Sequence, residues 1–103
     1  MTLNELQKEC LKLEPKYLTR GQEALMGFMG LTGAAGIALD LYKKTLFEGA
    51  VMDEKAATDA LAHCVCYISI AANSMDVDLE SVMKRCREIA FAGNSDAGDV
   101  ERK

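Results

Sequence analysis

Tryptophan is absent from this 103-residue chain, proline and histidine occur once each, and three tyrosines and three phenylalanines make up all its aromatic residues. Without alternating runs of β-branched and aromatic residues there is little from which to build a sheet, and only Pro15 is bound to interrupt a helix. Positive charge is also short. Sixteen acidic residues against twelve Lys and Arg give a net charge of −4, so no basic face is available for nucleic acid. The longest uncharged stretch, Ala24 to Leu39, falls short of the roughly 20 residues that span a bilayer and is broken by glycines. It reads as a buried helix with no membrane contact. No secretory signal precedes the four cysteines, Cys10, Cys64, Cys66 and Cys86, which read as reduced thiols of a cytoplasmic protein.

What is present is helix composition: half of the residues are hydrophobic, most of them Leu, Ala, Met and Ile. Thr2 can cap a first helix carrying Leu3, Leu6, Cys10, Leu11 and Leu13, which Pro15 closes. A second helix runs from about Thr19 or Gly21 to Phe47, with Glu48-Gly49 as its stop. Asp53 caps a third, from Glu54 to about Ser74, whose small and apolar interior predicts burial on most sides. Asp78 begins an amphipathic fourth helix that ends near Ala92-Gly93. The expectation is an all-α, four-helix bundle over 1–92 with a flexible tail over 93–103. One domain of this size buries only about two thirds of its unfolded surface, so a second copy would help it.

Gly27, Gly30, Gly33 and Gly36 recur inside the second helix, each costing roughly 1 kcal/mol relative to alanine. Something must approach that backbone closely, either a packed helix or a ligand.

The order of features resembles the MazG-type nucleoside triphosphate pyrophosphohydrolases. Gly30-Leu31-Thr32-Gly33-Ala34-Ala35-Gly36-Ile37-Ala38, followed by Lys43-Lys44 and a short loop, is similar to the family's first motif. The stretch from Asp59 through His63, Tyr67 and Ala72-Asn73-Ser74-Met75 to Asp78-Leu79-Glu80 resembles the second. The resemblance implies an all-α MazG-like bundle completed as a homodimer or homotetramer. It also implies four carboxylates that hold magnesium against a triphosphate. Here those four positions fall on Ala34, Ile37, Ala60 and His63, and the positions matching an Asn and a Lys near the phosphates fall on Cys86 and Ile89. No catalytic residue, metal ligand or cofactor is therefore expected.

Helical spacing puts Gly30, Ala34, Ile37 and Lys44 on one face of the second helix, and Ala60, His63 and Tyr67 on one face of the third. These seven are the candidate ligand-binding residues, for a nucleotide-like small molecule held without magnesium. His63 either lines a cavity or sits in ordinary core. Cys64 and Cys66 point roughly 200° apart on a helix, so they cannot close one tetrahedral zinc site with it within a subunit. Tyr67 either stacks on a base or fills the core, and Lys44 is the better anion partner of the Lys43-Lys44 pair. Two other functions compete with binding. One is a structural or regulatory protein whose site is filled, Ile37 packing on Ala60. The other is an enzyme recruiting Asp40, Asp59 and Glu23, whose directions on their helices argue against it.

Overall fold

The computed structural model describes residues 1–97, in which four helices and no strand are found: α1 (Leu3–Leu11), α2 (Arg20–Glu48), α3 (Glu54–Ser74) and α4 (Leu79–Ala97). Each helix starts at a side chain that accepts a backbone N–H. Thr2 and Thr19 form reciprocal capping boxes with Glu5 and Gln22, Asp53 accepts from Ala56 at 3.0 Å, and Asp78 accepts from Ser81 at 2.8 Å. Gly49 ends α2 in the left-handed region, φ 70°, where a residue with a Cβ would be strained. α1 stops at Leu11, well before Pro15, and leaves Leu13 outside it and exposed. α4 does not stop at Gly93 but continues to Ala97. The rest of the expected tail, 98–103, lies outside the described residues.

α2 and α3 pack as an antiparallel hairpin, because Gly27 lies against Ala71 and Gly30 against Tyr67, so that numbers rise on one helix as they fall on the other. The hydrophobic core sits at one end of this hairpin. Ile70, Ala71 and Ala72 of α3 are buried there with Cys10 of α1 and Leu79 of α4. Arg20 ties the same end together, donating to the Ser74 carbonyl at 3.1 Å and pairing with Asp76 at 2.7 Å. The rest of the hairpin projects as a two-helix arm.

α1 does more than cover the core. Gln7, buried, donates through Nε2 to the carbonyls of Ser69 and Val77, each at 3.1 Å, and accepts the Leu79 N–H on Oε1 at 3.0 Å. Asn4 Oδ1 accepts the Glu80 N–H at 3.0 Å. Side chains of the first helix thus satisfy free N–H groups at the start of the fourth.

The expectation of a buried second helix is not met. Of α2, only Gly27 and Ala34 are buried; Leu25, Met29, Ile37 and Phe47 are more than half exposed. By length and composition α2 passes as a membrane span. α3, however, packs along it and carries exposed Lys55, Asp59 and His63, which hydrocarbon would penalise by several kcal/mol. α3 too is less enclosed than expected, with Leu61 61% exposed. The radius of gyration, 16.3 Å, exceeds the roughly 13 Å of a compact domain of this length, as a projecting arm requires.

Candidate functional site

A groove of about 500 Å³ runs along the arm between α2 and α3. Ala34 and Ala60, 5% and 4% exposed, lie deepest in it. Gly33 and Ile37 border it from α2, and Ala56, Asp59, His63 and Tyr67 from α3. Six of the seven candidate residues meet here: Gly30, Ala34, Ile37, Ala60, His63 and Tyr67. The four positions at which the resemblance places metal-binding acids, Ala34, Ile37, Ala60 and His63, all line this one groove.

Lys44 does not. It shares the face of Ile37 but lies seven residues, roughly 10 Å, further along α2, where α3 has already given way to the interhelix loop. Asp59, expected to miss the face by one residue, does line the groove, because the opening is wider than one row of side chains. Its carboxylate pairs with Lys55 at 3.1 Å across an exposed helical turn, a contact worth only a few tenths of a kcal/mol.

The glycines divide. A Cβ on Gly27 would strike the Ala71 backbone, and one on Gly30 would enter the Tyr67 ring, whereas those on Gly33 and Gly36 would meet nothing within 4 Å. Gly30 is therefore the seat of Tyr67 rather than open space, and Ala71 is packed against α2. The room for a ligand lies over Gly33, Ala34 and Ala60. Ile37, 58% exposed, stands at the border of the groove and leaves it open to solvent. The remaining acids do not converge: Glu23 lines a different cleft, and Asp40 is exposed and borders neither opening. Cys86 and Ile89 line a separate apolar groove on α4 with Val82 and Arg85. Among the described residues no three His, Cys, Asp or Glu are placed to hold a metal ion.

Comparison with protein-family models, characterised proteins and solved structures finds no match for this chain.

A second cleft, between the end of α1 and the start of α2, holds a feature that no motif flagged. Glu14 and Glu23 both line it, with Lys12 and Lys16 at its border. Glu14 Oε2 is buried there with no hydrogen-bond donor against it, while Asn73 donates to Glu23 Oε2 at 2.9 Å. Burial, then hydrogen bonding to Glu23 and its like charge, push the Glu14 carboxyl up from 4.5 to about 7. A proton on Glu14 makes it a donor to Glu23 and removes the repulsion. Between these two values the folded chain keeps a proton that the unfolded chain has released. The stability contributed by this carboxyl is therefore fully present below pH 4.5 and is lost as the pH rises through about 7. Screening at this partly exposed cleft limits the loss to about 1–2 kcal/mol. Glu14→Gln, a donor at every pH, is expected to flatten the profile and to exceed wild type in stability above neutrality, as melts across that pH range will show. An unchanged profile would place the titrating group elsewhere.

Proposed function

We propose that this chain is a cytoplasmic, non-hydrolytic binding protein of MazG-like architecture. Its α2–α3 groove takes the ring end of a nucleotide-like molecule without magnesium. The observation that carries the reading is the convergence of Ala34, Ile37, Ala60 and His63 on one groove. These positions, matched in sequence to a metal-binding quartet, meet in space but carry two alanines, an isoleucine and a histidine instead of four carboxylates. Alanine at two of them leaves room for a ring, and His63, Asp59 and the Tyr67 hydroxyl supply the few polar groups a ligand pocket typically carries. Homodimers or homotetramers belong to the same reading. The exposed apolar side chains of α2 are the surface a second copy would cover.

A second reading, a structural or regulatory protein with an idle groove, is favoured by one observation: no Lys or Arg lines the opening, so a triphosphate finds no cationic partner there.

Thermal melts of wild type and Ala60→Phe, each with a panel of nucleosides, nucleotides and cyclic or ADP-ribose-type molecules, separate the two. Binding predicts that a ligand stabilises wild type by about 2.7 kcal/mol at a hundredfold excess over Kd, read as a raised melting temperature. The shift should vanish in Ala60→Phe, which remains folded after an overpacking cost of about 1–3 kcal/mol. No pyrophosphate should be released from triphosphates with magnesium or manganese. If no compound shifts wild type, the second reading stands. A single-chain mass by light scattering at micromolar concentration would remove the oligomer from either.

A further inference from the structure

Cys10 of α1 and Cys66 of α3 lie 56 residues apart in sequence, and their sulfurs lie 3.4 Å apart, within hydrogen-bonding distance. Cys10 is buried and Cys66 only half-buried, so Cys66 is the more accessible residue of the pair. All four cysteines are free thiols. Cys64 shares α3 with Cys66 but points roughly 200° away from it, and Cys86 is exposed on α4. The two sulfurs need to close by only about 1.4 Å to reach the disulfide bond length of about 2.05 Å. α1 is a nine-residue helix, too short to stand alone and held by a few side chains, so it can give that distance.

We propose that Cys10 and Cys66 are a site of oxidative modification, forming an intrachain disulfide between α1 and α3 when the protein meets a peroxide. The Cys66 thiolate attacks one peroxide oxygen, the O–O bond breaks, and the departing hydroxide takes up a proton as water, leaving a sulfenic acid on Cys66. The Cys10 sulfur then attacks the Cys66 sulfur. The S–O bond breaks, and the second hydroxide leaves as water with the Cys10 proton. Two thiols lose two electrons in all, and one peroxide becomes two waters. Burial and the neighbouring Cys10 push the Cys66 thiol up to about 11. Little thiolate is present near neutrality, so the bond forms slowly there and faster as the pH rises. This makes it a staple laid down under sustained oxidant rather than a fast sensor. It would fix to α3 the helix whose Gln7 and Asn4 cap α4.

The test uses the full chain carrying Cys64→Ser and Cys86→Ser, so that only this pair remains. The folded protein is treated with hydrogen peroxide at about pH 7 and about pH 9, then denatured, alkylated and weighed. The expected product has lost about 2 Da, takes no alkyl group, regains both thiols with dithiothreitol and forms faster at the higher pH. Adding Cys10→Ser abolishes it. The proposal is overturned if both thiols stay alkylatable, if Cys66 gains about 32 Da as a sulfinic acid with Cys10 still free, or if the only disulfide joins two chains.

Discussion

Gln7→Leu is expected to cost about 3 kcal/mol or more, from roughly 1–3 kcal/mol for each buried polar group left without its partner. The leucine fills a similar volume but satisfies neither the Val77 carbonyl nor the Leu79 N–H, and it strips one hydrogen bond from the Ser69 carbonyl. Against the roughly 5–15 kcal/mol that holds an ordinary domain together, that is a large fraction. Gln7→Glu sharpens the test. Its carboxylate still accepts from Leu79 but faces two carbonyls it cannot donate to, so the variant should be weak at neutral pH and recover as acid restores a donor. Denaturant melts of both variants across pH measure this. A Gln7→Leu protein as stable as wild type would mean that water replaces the amide and that α1 is only loosely attached.

Gly27→Ala and Gly36→Ala should change stability in opposite directions, although the two residues belong to one three-residue repeat. The new methyl at Gly27 would come within 2.6 Å of the Ala71 nitrogen and 2.7 Å of its Cα, where backbone rather than a flexible side chain must yield. The overpacking cost of about 1–3 kcal/mol is set against a gain of about 1 kcal/mol in helix propensity, for a net loss of up to about 2 kcal/mol. At Gly36 nothing lies within 4 Å, and the propensity gain of up to about 1 kcal/mol remains. Equilibrium unfolding of the two variants decides it. A loss at Gly36 equal to that at Gly27 would show that something outside this chain presses on that side of α2.

The glycine contrast also shows where the sequence was legible and where it was not. That a glycine repeat marks close approach held for Gly27 and Gly30. Within this chain nothing approaches Gly33 or Gly36, because steps of three residues turn the helix by about 300°, drifting back about 60° each time. Gly36 therefore faces about 180° from Gly27. Helix starts were readable because Thr2, Thr19, Asp53 and Asp78 act through contacts a few residues away. The early end of α1 and the continuation of α4 through Gly93 were not, since neither Pro15 nor Gly93 sets the boundary it suggested. Gln7 was missed although a signal existed: it lies four residues after Leu3 and three before Cys10, a polar residue on the apolar face. Helical spacing gathered six groove residues but misjudged Lys44 and Asp59. It reports direction around one helix, not where the neighbouring helix ends or how wide the gap is. Glu14 opposite Glu23, and Cys10 opposite Cys66, are meetings between elements that no local pattern encodes.

The reach of Gln7 across the chain has a consequence in time. The α2–α3 hairpin joins helices linked by a short loop, whereas Gln7 meets Leu79 across 72 residues of sequence. Closing that longer loop costs more chain entropy, and it gains nothing until the last turn of α3 and the start of α4 are in place. The hairpin is therefore the element to form first, with α1 docking late as a clasp. Lesions at Gly27 should then slow folding, while lesions at Gln7 leave the folding rate nearly untouched and hasten unfolding. The lifetime of the folded chain is set less by its longest helix than by the shortest one letting go.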